Sequence, residues 1–234
     1  MTRPIEVSLP FSGRWRAINS PARRVPSHGV DLLGQRYAID FVGVDARHRD
    51  ADRSDWRTAL HTEPPQRFYS FGRPILAPAA GVVVAVHDGE PDHAARRSQL
   101  ALVPYMLGQS GRLRQGTAAI AGNHVVVRLR DDVFAAVVHL RQASLRVAVG
   151  DAVAQGQQLA ECGNSGNSTQ PHVHLQLMDS ADLAVARGAP VLFRGYREWG
   201  GGSRHPELVD PVVVDSGIPG ERSVVEPAQL VEPA

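Results

Sequence analysis

The apolar positions of the chain fall in short, β-branched runs separated by Gly, Pro, Asp and Arg, a pattern of many short strands rather than long helices. Arg36 to Val44 (Arg-Tyr-Ala-Ile-Asp-Phe-Val-Gly-Val) reads as a strand that carries Asp40 inside an otherwise apolar run. Ile75 to Val86, broken by Pro78 and Gly81, predicts two short strands around a bend. His124 to Leu129 and Val133 to Leu140 flank Arg130-Asp131-Asp132, hairpin punctuation that sets His139 near the end of the second strand. Val147 to Ala160 predicts short β segments with turns at Gly150-Asp151 and Gly156-Gln157, where glycine is free to take positive φ. After a loop at 163–170, His172 to Met178 alternates His, His, Gln against Val, Leu, Leu, so His172, His174 and Gln176 share one face.

The segments between these runs set the expected organisation. Residues 1–27 form an extended lead-in that pairs or packs at an edge, 28–215 form one β domain, and the tail at 216–234 is expected to be poorly ordered. Two charged, turn-rich insertions interrupt the domain, at about 45–70 with room for one short helix and at about 90–116 with a helix expected around His93 to Tyr105.

Composition narrows the function classes. The 17 Pro and 22 Gly favour turns, and 234 residues suffice for one sizeable core. A formal charge of +1 gives no electrostatic case for nucleic acid or an anionic membrane as the main partner. The single Cys162 excludes an intrachain disulfide framework. Met1 to Arg16 lacks the apolar core of a secretory signal, and no run approaches the roughly 18 to 20 apolar residues of a membrane span. As written the chain reads as cytoplasmic, with a non-standard export route as the alternative.

Two histidines one residue apart on a strand sit about 6 to 7 Å apart and point the same way, so both can reach one metal or its water. By itself such a pair is as readily two surface histidines on a half-exposed strand. His61, His87, His93 and His205 lie in turn-rich or charged segments and read as surface residues, His124 as a wall residue at a strand start, and Cys162 as a small buried side chain.

The segment from Gly163 to Gln176 (Gly-Asn-Ser-Gly-Asn-Ser-Thr-Gln-Pro-His-Val-His-Leu-Gln) resembles the signature of the lysostaphin-type or LytM peptidases, a Gly-rich loop running into Pro-His-Leu-His-Phe-Glu. Val138-His139-Leu140 resembles the family's Ala-His-Leu, and Pro74 to Val83 and Val149 to Gln157 are similar to its strand-and-bend and its Gly-Gln turn. The resemblance covers about residues 30 to 180. It implies a mostly β fold, a barrel-sandwich-like hybrid of antiparallel sheets with loop insertions. It also implies a zinc site in which His174 and Asp40 are ligands, flanked by His139 and His172 as catalytic histidines, in a metalloendopeptidase whose usual substrate is the peptide cross-link of bacterial peptidoglycan.

One departure bears on the metal. The family's ligand Asp is preceded by a His four residues earlier, and here that position is Arg36, whose guanidinium has no lone pair to donate. His28 is the candidate third ligand if its loop folds back, and His48 a lesser substitute; alternatively Arg36 pairs with Asp40 in a metal-free site. The rival function is therefore a degenerate domain of the same fold that binds a peptide or regulates a partner. A biotinyl-type carrier is disfavoured because the chain has no Lys. Oligomeric state stays open.

Overall fold

The computed structural model of the chain describes residues 3–52, 61–96, 117–201 and 209–228. The strands are β1 (Ile5–Val7), β2 (Trp15–Ile18), β3 (Ile39–Gly43), β4 (Pro74–Leu76), β5 (Gly81–His87), β6 (Asn123–Arg130) and β7 (Val133–Leu140). They continue with β8 (Ala152–Val153), β9 (Gln158–Glu161), β10 (Val173–Met178), β11 (Gly188–Ala189), β12 (Val191–Trp199), β13 (Val212–Gly217) and β14 (Val224–Pro227). A single-turn helix, α1 (Thr117–Ala121), precedes β6.

Twelve of the described strands make one sheet, with the path β1-β12-β14-β2-β3-β10-β7-β6-β5-β8, β11 beside β10 and β13 beside β12; β4 and β9 pair separately. Every described pairing is antiparallel except β1 with β12. The fold is mostly β, with large antiparallel sheets. Period-two alternation divides the side chains of the central strands. Phe41, Val137, Val173, Leu175 and Leu177 enter the main core with Trp15 and Phe193. Phe11 stacks on Trp15 at 4.7 Å between centroids and meets Phe41 edge-on at 4.9 Å, which anchors β2 against β3. The opposite face carries a smaller cluster that includes Ala136, Val138, Met178 and Leu183, and the polar residues of the site lie beside it.

Both chain ends depart from expectation. β1 lies at the sheet edge, but β2 is inserted between β14 and β3. The poorly ordered tail is corrected for residues 216–228: Val224 and Val225 are buried, and β14 bridges β12 and β2 by backbone pairing. In the first insertion the structure places a 3-10 turn at Pro65–Arg67, and bridges join Ala51 to Phe68 and Glu63 to Ala95. The helix expected around His93 to Tyr105 lies largely outside the described residues, and 90–96 are not helical. No helix among the described residues is long and apolar enough to cross a membrane.

Candidate metal centre and active site

Pairing of β3 with β10 sets Asp40 directly opposite His174 on the polar face. His174 Nδ1 lies 2.8 Å from Asp40 Oδ1, and both side chains are buried. The other carboxylate oxygen accepts from Asn19 Nδ2 at 2.8 Å and meets His28 Nε2 at 3.1 Å.

His28 reaches this point because its loop closes on itself. The Ser27 N–H donates to the Arg36 carbonyl at 3.1 Å, joining the loop's two ends beside the start of β3, and His28 Nδ1 rests 3.0 Å from Ser27 Oγ. Arg36 faces away from the site: its side chain is 40% exposed, bonds Asp31 and lies over the Tyr37 ring. The expected alternative of an Arg36–Asp40 pair is thereby corrected, since Asp31 and Tyr37 hold the guanidinium at the surface. His48 is buried against Trp199, away from the cluster.

His28, Asp40 and His174 each offer one ligand atom, all within 4.8 Å of one another. The donor chemistry fits a divalent zinc-like cation with an open position: two imidazoles and one carboxylate. His174 faces an acceptor on each ring nitrogen, Asp40 Oδ1 and Gln176 Oε1, the latter at 3.0 Å. A neutral ring can donate to only one of them, and a cation that took Nδ1 and the carboxylate as ligands would remove the conflict.

His139 is brought to the same side by a break in alternation. Strict period two would send it with Val137 into the main core. Instead, β6 spends one residue between Asn123 and Val125 while β7 spends two between Val137 and Leu140, and His139 has φ +62°. This bulge turns His139 onto the face of Val138, returning Leu140 to the core. The His139 ring lies 4.7 Å from that of His172 and 6.0 Å from that of His174. His139 Nδ1 donates to the Ser165 carbonyl at 2.9 Å and His172 Nδ1 to the Gln170 carbonyl at 2.8 Å. Both acceptors fix the proton on Nδ1, leaving each Nε2 with a lone pair.

The electrostatics separate two kinds of group. Burial alone would raise the Asp40 carboxyl, but His28, His172 and His174 hold it well below the usual carboxylate range. For His28, burial works downward and the Asp40 charge outweighs it, leaving the imidazole raised. His139 is pushed well below its ordinary value by burial and then by its neighbours His172 and His174, and burial also lowers His172. At neutral pH the site thus holds an ionised carboxylate beside neutral His139 and His172.

The Gly-rich loop is fixed from outside. Ser165 Oγ donates to the Leu140 carbonyl at 2.8 Å and accepts from the Asn123 N–H at 3.0 Å. Asp92 accepts from the Asn164 N–H at 2.6 Å, and His93 Nε2 donates to the Gly166 carbonyl at 2.9 Å. His93, read from sequence as a surface residue, is half-buried because it braces this loop. His61 is exposed, His87 stacks on buried His124 at 5.6 Å, and His205 lies outside the described residues. Cys162 is fully buried, and burial pushes its thiol up. Sequence reasoning missed the roles of Asn19, Ser165 and Gln176; the only signal was Gln176's place on the shared face.

Residues 108–192 match Peptidase family M23. The chain is similar to the catalytic domain of the antimicrobial peptidase lysostaphin from Staphylococcus simulans at 18% identity, TM-score 0.38, with 76% of this chain and 88% of that chain covered. A mutant catalytic domain of the prophage-encoded M23 protein EnpA from Enterococcus faecalis is similar at 23% identity, TM-score 0.36, over 63% and 85%. The deep-sea M23 metalloprotease pseudoalterin is similar at 14% identity, TM-score 0.39, over 92% of each chain. The segment that matches peptidase family M23 carries His139 and the His-x-His strand with His172 and His174, so this part of the chain is similar to that family.

Proposed function

We propose that this chain is a zinc-dependent endopeptidase acting on peptide cross-links of the peptidoglycan type, with His28 replacing the family's usual ligand at Arg36. The observation that carries the reading is the convergence of His28, Asp40 and His174, with His139 and His172 set beside them. Zinc held there would polarise a substrate carbonyl and bring the pKa of a water towards 7.

This chain's own groups supply the rest. Asp40 stays ionised and holds His28 and His174 in place. His139 and His172, with their Nδ1 protons committed to backbone carbonyls, can each take a proton at Nε2 from an attacking water. Once protonated, either ring is a donor that can stabilise the developing oxyanion or return the proton to the leaving amine. The cleft over the site has a volume of about 200 Å³, below the roughly 300–1,000 Å³ of pockets that enclose a small molecule. That size favours an extended chain lying across the site.

Arg36 is the sequence feature that favours the rival, a non-catalytic peptide-binding descendant. Its outward pairing with Asp31 leaves the donor position to His28, which supports the enzyme. The test is the appearance of new amino termini when purified peptidoglycan is incubated with the protein. Hydrolysis should stop with a chelator, return with zinc, and fall at least about 10²-fold in His172→Ala. Hydrolysis indifferent to chelator, or none with zinc fully bound, would overturn the reading.

A further inference from the structure

Gln176 is buried on β10 and uses both ends of its amide. Oε1 accepts from His174 Nε2 at 3.0 Å, and Nε2 donates to the Leu33 carbonyl at 2.7 Å. A carboxylate could make the first bond but not the second, because it has no N–H and would set negative charge against a carbonyl oxygen.

Leu33 belongs to the loop that carries His28. Besides the Ser27–Arg36 closure, this loop is turned by the Gln35 N–H donating to the Leu32 carbonyl at 3.1 Å. Leu33 itself has φ +56°, a left-handed conformation that is strained for a side-chain-bearing residue and needs a restraint. Gly34 follows at φ +76°, where a Cβ would stand 2.8 Å from Gln176 Nε2 and 3.2 Å from Met178 Cβ. Glycine thus allows the loop to settle directly onto the amide.

We propose that Gln176 is a positioning residue that couples the two imidazoles of the metal site. One amide offers His174 Nε2 an acceptor, which the ring would use once a metal takes Nδ1, and latches the Leu33 carbonyl so that His28 is held against Asp40. The proposal rests on the metallopeptidase reading above. It explains how a histidine separated from Asp40 by 12 positions on a loop serves where a donor on the strand's own lead-in is missing.

The test compares Gln176→Glu, which keeps the acceptor and loses the donor, with Gln176→Met, which loses both at similar volume. Zinc affinity is measured by competition with a chromogenic chelator, and amide hydrogen exchange over residues 27–36 is followed in metal-free protein. Both variants should exchange faster in 27–36 with β6 and β7 unchanged, and Gln176→Met should bind zinc about 10- to 100-fold more weakly than the parent. Unchanged exchange over 27–36, or unchanged zinc affinity in Gln176→Met, overturns the proposal. If Gln176→Met does not fold, Gly34→Ala displaces the same amide from the loop side and carries the same expectations. A parent protein that takes up no zinc overturns the metallopeptidase reading instead, while the exchange measurement still decides whether Gln176 holds the loop.

Discussion

Replacing Gly166 by Ala should separate the metal-holding half of the site from the proton-handling half. Gly166 and Gly122 cross with their backbones in contact: a Cβ on Gly166 would stand 2.4 Å from Gly122 N and 2.7 Å from the Ile120 carbonyl oxygen. Ordinary contact begins at 3.4 Å, so the loop at 163–170 must retreat by about 1 Å. The φ of +68° adds about 1–2 kcal/mol for any L side chain. For a chain of this size that strain corresponds to a fall in Tm of roughly 2–8 °C. The retreating loop carries the Ser165 and Gln170 carbonyls that orient His139 and His172. A misplacement of about 1 Å at catalytic groups costs on the order of 10²-fold in rate. His28, Asp40 and His174 are held by other elements. We therefore expect kcat on peptidoglycan to fall about 10²-fold while zinc content, measured by elemental analysis, stays at the parent level. Parent-like kcat in folded Gly166→Ala would refute the reasoning, as would loss of zinc together with activity.

Arg36→Ala should leave zinc content, hydrolysis and the urea-unfolding midpoint at the parent level, because its ion pair is at the surface. Trp15→Ala should cost about 3–5 kcal/mol in the same titration, since the ring is fully buried and stacked on Phe11. In metal-free protein Tm should fall as the pH drops below 6.5: His139 and His172, depressed in the fold, bind fewer protons there than in the unfolded chain. Asp40, also depressed, adds a loss at lower pH as the carboxyl is protonated, whereas raised His28 contributes stability below 6.5 that fades as pH rises through its folded value. A Tm that rises on acidification would show that His28 dominates.

The parts of the site built by strict alternation were legible in the sequence. An Asp inside an apolar run and two histidines with period two define the face of β3 and β10, and antiparallel pairing then sets Asp40 opposite His174. His139 was identifiable by its surroundings, but alternation alone assigns it to the core; only the bulge opposite His124 turns it to the cleft. His28 could be named only as a candidate, because its position depends on the Ser27–Arg36 closure and on Gln176, a contact spanning 143 positions. The ordered tail was hidden for the same reason. Val224 and Val225 find their place only when β2 and β12, from opposite ends of the chain, lie on either side.

The most direct test of the account is the zinc content of the purified chain, by elemental analysis, beside His28→Ala and Arg36→Ala. The account predicts about one zinc per chain, retained in Arg36→Ala and lost or greatly weakened in His28→Ala. Zinc retained at full affinity in His28→Ala, or absent from the parent after reconstitution, would contradict it.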